Sequence, residues 1–188
     1  MKHVRYLIYF ILCVFLLSAC STNQSPDHKI APFSFKDQDQ QSFGTDDLKG
    51  SIWVASFIFT NCETVCPPMM FEMASLQETF KKEGIQAEFI SFTVDPKHDS
   101  PKVLKEYIEQ FTNDETNWHM LTGYNQNEIE EYAREHFKTI VQKPDTSNQV
   151  IHSTNFYLVD EEGYVLNEYN YIDESYVDEM IKDIQDAL

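Results

Sequence analysis

An α/β sandwich around a central mixed sheet is the fold class this sequence predicts, with helices on both faces and an extra β-hairpin on the N-terminal side. Three observations predict it. Two apolar runs rich in β-formers, "SIWVASFIFT" and "IQAEFISFTVD", have the pattern of strands buried on both faces. Segments with helical spacing of apolar residues alternate with them, as they do where parallel strands are joined by crossover helices. Near the C-terminus two further strand-like runs are separated only by a turn at Glu162-Gly163, which makes that end of the sheet antiparallel.

Taken in chain order, "PFSFKDQDQQSF" alternates apolar and polar residues at both ends of an Asp-Gln turn and predicts the extra hairpin. "SIWVASFIFT" follows and runs straight into Cys62. The segment Pro68 to Glu83 places Met69, Met73, Leu76 and Phe80 at helical spacing, with Pro67 tolerated in the first turn and Gly84 as the C-terminal stop. Met69, Met70 and Met73 are accordingly expected in the core rather than as thioether ligands. The second buried strand ends at Asp95-Pro96. Pro101 to Phe111 reads as a helix capped by Asp99 or Ser100, and "NWHML" as a short strand. Asn125 to Phe137 is a helix with Ile129, Tyr132, Ala133 and His136 roughly on one side. The hairpin "QVIHSTNFYLVD-EEG-YVLNEYNY" and an amphipathic helix from Glu174 to Leu188 complete the chain.

The N-terminus sets the compartment. Lys2 and Arg5 precede an uncharged stretch from Tyr6 to Ala19, shorter than the roughly 20 residues of a bilayer-spanning helix. That is the organisation of an export signal, with an uncleaved anchor as the alternative. Leu17-Ser18-Ala19-Cys20 resembles the lipobox of bacterial lipoproteins, which implies cleavage before Cys20 and its acylation. The expected organisation is a signal peptide over 1–19, a lipid-anchored tether over 20–29 and one domain over 30–188. The expected location is the extracytoplasmic face of the bacterial membrane. Loss of Lys2 and Arg5 makes the formal net charge of −17 two units more negative. With no basic patch or aromatic-interleaved Lys/Arg run, nucleic acid is excluded as a partner.

Of four cysteines, Cys13 leaves with the signal and Cys20 carries lipid, so Cys62 and Cys66 are the free thiols. A structural disulfide between them would close a very short loop and restrain little of the unfolded chain. At the start of a helix, four positions apart, they are expected one turn apart on one face, where the helix N-terminus favours thiolate. Both attack on a disulfide and ligation of a soft metal are then open. The usual redox spacing has two intervening residues; Cys62-Glu63-Thr64-Val65-Cys66 has three, which leaves room for an ion between the sulfurs. Among the histidines, His3 and His28 fall in the signal and tether, His98 in a charged turn, His119 on a half-buried strand and His136 on a helix face. His152, in "QVIHSTNF", is the candidate third donor.

Together, "FIFTNCETVCPPM", "FTVDPKHDSP" and "VIHSTNFYLVDEEG" resemble the Sco (SenC) family of membrane-anchored, thioredoxin-like copper chaperones for cytochrome c oxidase, from about Ile30 to the end of the chain. The resemblance implies a thioredoxin-like fold, one copper ion, Cu(I) or Cu(II), bound by Cys62, Cys66 and His152, and support of the site by Asp95. It implies delivery of copper to, or thiol maintenance of, the CuA centre of oxidase subunit II, with a copper donor or thiol reductant as a further partner. Thiolate suits Cu(I), while imidazole suits either oxidation state; Asp95 either orients His152 or is simply the residue of an Asp-Pro turn approaching the next helix, and the sequence leaves both open.

The alternative is a thiol-disulfide oxidoreductase, with Cys62 as nucleophile and Cys66 as resolving thiol, keeping the CuA cysteines reduced. A thioredoxin-type enzyme would carry a proline before the late strand, where this chain has Val150-Ile151-His152-Ser153. A peroxidase is disfavoured because no arginine accompanies the motif. A Cys₂His zinc hydrolase would lack an evident general base beyond Asp95 or Glu63. The expectation is therefore a metallochaperone rather than an enzyme.

Overall fold

The computed structural model of the protein describes residues 28–187, and among these a two-stranded and a five-stranded sheet form. The expected signal peptide, Cys20 and the tether through residue 27 lie outside the described residues. The last two tether positions are already part of the folded body. The His28 carbonyl accepts from the Val165 amide, and Lys29 bridges Tyr164. Among the described residues, no helix is long and apolar enough to cross a membrane.

β1 (Ser34–Lys36) and β2 (Ser42–Gly44) form the antiparallel N-terminal hairpin. Its turn is built by Asp37, whose Oδ1 accepts from the amides of Asp39 and Gln41, the local hydrogen bonding that makes Asp a turn residue. The main sheet comprises β3 (Ile52–Ile58), β4 (Ala87–Thr93), β5 (Trp118–Leu121), β6 (Asn155–Val159) and β7 (Val165–Asn170), in the order β5-β4-β3-β6-β7. β3 and β4 are parallel, as are β4 and β5, whereas β6 runs antiparallel to both β3 and β7. The sheet is thus mixed, as the sequence predicts. Every residue of β3 is buried, which is why its sequence is continuously apolar instead of alternating.

The helices among the described residues are α1 (Cys66–Glu83), α2 (Pro101–Ile108), α3 (Gln126–His136) and α4 (Tyr176–Ala187). They cover both faces of the sheet. On one, Phe80 of α1 packs on Phe89 of β4 and Tyr176 of α4 on Phe156 of β6, with ring centroids 5.8 Å apart in both pairs. On the other, Tyr132 of α3 meets Phe92, and Phe137 just beyond α3 meets Phe57. Phe33, ahead of the hairpin, joins that second layer through Phe92 and Tyr132.

Helix boundaries shift by one to three residues from those the sequence predicts, for local reasons. α1 begins at Cys66, two residues before Pro68. Both prolines sit in its first turn, where their missing amide donors have no partner to lose, and Gly84 ends it in the left-handed region at φ 72°. α2 is capped by Ser100, whose Oγ accepts from Val103, and stops at Ile108, short of Phe111. α3 opens with a capping box in which Asn125 and Glu128 satisfy each other's backbone amides. Met69, Met70 and Met73 are all buried, as expected of core.

This topology places a site. The parallel strands β3 and β4 end on the same side of the sheet, and the loop from β3 into α1 holds the cysteines there. β6 starts at that same end because it runs antiparallel to β3. The carboxyl ends of parallel strands are where open α/β sheets hold ligands.

Candidate metal centre

Cys62, Cys66 and His152 converge at this end, their ligand atoms all within 4.8 Å of one another. Each arrives by a different route. Cys66 is the first residue of α1 and fully buried. Cys62 lies four residues earlier, in the loop after β3, and is 6% exposed. The two are not stacked on one helical face, as the spacing alone predicts. Instead the Cys66 amide, at the N-terminus of α1, donates to Cys62 Sγ at 3.4 Å. The orphan amides of a helix start make an anion site, so the helix stabilises the sulfur that lies outside it. Both thiols are unpaired.

His152 sits just before β6. Its neighbour Ile151 exchanges two 2.9 Å backbone hydrogen bonds with Gln142 and is exposed. With side chains alternating along extended chain, His152 faces inward. Its Nδ1 donates to the Ser153 carbonyl at 2.7 Å. That contact leaves the Nε2 lone pair toward Cys66 Sγ, 3.4 Å away. An imidazole whose second nitrogen is held by a backbone carbonyl is the usual arrangement of a metal-ligating histidine. Phe59, edge-on to the imidazole with ring centroids 5.6 Å apart, walls the site.

The pair of thiols is electrostatically asymmetric. The Cys66 thiol beside it, helped by His152 and the amides, holds Cys62 far below the ordinary thiol range, to about 3, against a smaller opposing effect of burial. Cys66 is pushed up, first by the neighbouring Cys62 sulfur and then by its own burial. The reduced site thus carries one thiolate, Cys62, and one thiol, Cys66. The donor set of two sulfurs and one imidazole nitrogen suits copper and other thiophilic ions, and not a hard, oxygen-seeking cation.

Asp95 makes no hydrogen bond to His152. It is buried, and its Oδ1 forms a tight ion pair with Lys143 Nζ, while the His152 Nδ1 contact is made by a carbonyl. Sequence reasoning assigned Asp95 by position in the motif. Its partner is 48 residues away and leaves no local signal. The carboxylate that does reach the cysteine loop is Asp99, fully buried, which accepts from the Thr60 amide at 3.1 Å and the Thr60 hydroxyl at 2.6 Å. Asn61 is held from the opposite side, its carbonyl accepting from Gln149 Nε2 at 3.2 Å. The motif offers two aspartates, and nothing in the sequence says which one faces the loop.

A strand-to-helix dithiol with an imidazole closing over it from the late hairpin defines the class: a thioredoxin-like domain with a Cys₂His cluster that could hold a soft metal ion. The chain belongs to the SCO1/SenC family, whose model matches residues 21–188. Among solved structures it is similar to a SCO1/SenC family lipoprotein from Bacillus anthracis, 43% identical with a TM-score of 0.84, covering 88% of this chain and 98% of that one. BsSco, described as having a disulfide switch and as a member of the Sco family of cytochrome c oxidase assembly proteins, is 45% identical with a TM-score of 0.78, covering 87% and 96% of the two chains. Yeast Sco1 with copper bound is 27% identical with a TM-score of 0.71, covering 86% of this chain and 91% of that one.

Proposed function

We propose that this protein is a copper-binding assembly factor for cytochrome c oxidase. It carries one copper ion as its cargo, held by Cys62, Cys66 and His152 and destined for the CuA centre of subunit II. The observation that carries this reading is the convergence of the three donors, with His152 Nε2 turned to the dithiol by the hydrogen bond at Nδ1. The copper-bound yeast relative and the oxidase-assembly description of BsSco support it. Two soft sulfurs retain Cu(I), the imidazole accommodates either oxidation state, and a site at the surface end of the sheet can hand the ion on.

A second reading is favoured by one observation, the thiolate character of Cys62 beside a protonated Cys66. That is the state in which a dithiol attacks a disulfide: Cys62 sulfur bonds to one substrate sulfur, the other leaves as thiolate, and Cys66 then resolves the mixed disulfide. On this reading the protein keeps the CuA cysteines reduced, and the disulfide switch described for BsSco is consistent with it.

Acylation of Cys20 and anchoring on the extracytoplasmic face of the membrane belong to the same proposal, supported by the lipobox-like Leu17-Ser18-Ala19-Cys20 and by the lipoprotein description of the Bacillus anthracis relative. Two or more acyl chains give durable anchoring.

His152→Ala separates the readings. Both need the cysteines, but only the metal site needs the imidazole. The variant is expected to form the Cys62–Cys66 disulfide reversibly, to lose tight Cu(II) binding and to fail to support CuA assembly in cells carrying it as the sole copy. Full oxidase activity at limiting copper would put the reductase reading first.

A further inference from the structure

Cys62 lies in a loop, and a loop residue reaches a fixed ligand position only if the backbone before it is held. Three residues, Phe59 to Asn61, join the end of β3 to Cys62. A fully buried carboxylate sits against them. Asp99 Oδ2 accepts from the Thr60 amide and from the Thr93 hydroxyl, and its Oδ1 from the Thr60 hydroxyl and from His98 Nδ1 at 3.0 Å. Asp99 is itself fixed. Its amide donates to the Asp95 carbonyl at 2.9 Å and its carbonyl accepts the Thr122 hydroxyl at 3.0 Å. Asp99 thus ties the Cys62 approach to the ends of β4 and β5.

A buried carboxylate is costly to desolvate unless every lone pair is used. Here four donors converge on it, and two of them come from one residue, Thr60. A core that needed only to be filled would hold an apolar side chain at this place, since a polar network is no more stable than good apolar packing. What the network adds is direction, because each donor fixes the orientation of the group that bears it.

We propose that Asp99 is a positioning residue for the metal centre: it clamps Thr60 so that the loop presents Cys62 Sγ within ligand reach of Cys66 and His152. The inference rests on the copper reading of those three residues, and its test separates the two. Asn is isosteric with Asp but has only one acceptor oxygen. In either orientation the charge-assisted contacts become weaker neutral ones, and an NH₂ placed at Oδ2 also loses the bond from the Thr60 amide. Thr60→Val removes the hydroxyl contact alone and is the milder variant, usable if Asp99→Asn does not fold.

The first arm uses copper-free, reduced protein and hydrogen exchange. Loss of a hydrogen bond to a charged group should speed exchange in the Thr60–Cys62 stretch by about ten- to a hundredfold while β3 exchanges as before. The second arm titrates Cu(I) against a chromophoric chelator. Affinity should fall about tenfold or more in Asp99→Asn, and the double variant with Thr60→Val should lose little beyond it, because both act through one contact. Faster exchange spread uniformly over the sheet, or unchanged loop exchange in both variants, would overturn the inference. So would additive losses of affinity. Failure of the unaltered protein to bind copper would count against the copper reading, and the exchange arm would still decide the role of Asp99.

Discussion

The asymmetry of the thiols leads to a prediction about alkylation of Cys62 by iodoacetamide in the reduced protein. An ordinary thiol near 9.0 is thiolate to about one part in a thousand at pH 6, whereas Cys62, held at about 3, is thiolate throughout. Thiolate fraction alone would give it a rate advantage of about a thousandfold. Nucleophilicity falls with pKa, however, with a Brønsted slope of about 0.4–0.5, so the same difference costs about 250- to 1,000-fold per thiolate. The two effects nearly cancel, and the absolute rate at pH 6 is a poor test. The slope is a good one. Labelling of Cys62 should be flat from about pH 5 to 8, where an unperturbed thiol gains about tenfold per pH unit. Peptide mapping of quenched reactions reads this directly, with Cys66 unlabelled. Because the Cys66 thiol is the largest cause of the depression and His152 a lesser one, Cys66→Ala should restore a sloping profile and His152→Ala should change it less. A tenfold-per-unit rise in the unaltered protein would refute the assignment of Cys62 as the thiolate.

The same asymmetry sets the pH dependence of stability. Cys62 titrates lower in the folded than in the unfolded chain, so its contribution is present above the ordinary thiol value and is lost as pH falls through the folded value near 3. Cys66, raised in the fold, contributes the opposite way and destabilises above about pH 9; urea melts of the reduced protein should weaken on both sides, and a flat profile from pH 3 to 6 in a comparison with Cys62→Ala would contradict this. Lys143→Ala should cost about 2 kcal/mol in urea unfolding by stranding buried Asp95, yet leave copper affinity within about twofold, as a residue that does not touch His152 must; a large loss of affinity would restore a direct role for Asp95. At Gly44 an added Cβ would lie 2.1 Å from the Phe33 carbonyl oxygen, so Gly44→Ala should cost about 2 kcal/mol or more by forcing the hairpin backbone apart. An unchanged melting temperature would show that the hairpin yields freely.

The elements were legible where burial writes itself into composition. β3 is apolar at every position because both its faces are covered, and the α1 methionines fall at core spacing. The Asp-Gln hairpin turn and Gly84 carry their conformations in residue type. The metal site was legible by a different route. Spacing alone left disulfide chemistry and metal binding open at Cys62 and Cys66; position at the start of the late hairpin made His152 the candidate third donor, and the family resemblance implied that it is a ligand. Cys62 lies off the helix because α1 starts at the second cysteine, with Pro67 and Pro68 in its first turn. Two features had no local signal. Asp95 and Asp99 look alike in sequence, and only their depth and their distant partners, Lys143 and Thr60, tell them apart. The hydrogen bond that turns His152 Nε2 toward the thiols ends on a backbone carbonyl, which every residue possesses.

The central claim is that Cys62, Cys66 and His152 act together as one copper site. Anaerobic titration of the reduced protein with copper, followed by absorbance and EPR, tests it most directly. The account predicts saturation at one equivalent, a sulfur-to-copper charge-transfer band with Cu(II) that vanishes without either cysteine, and nitrogen hyperfine structure lost in His152→Ala. Saturation with spectra that are indifferent to these three residues, or no tight binding at all, would contradict it.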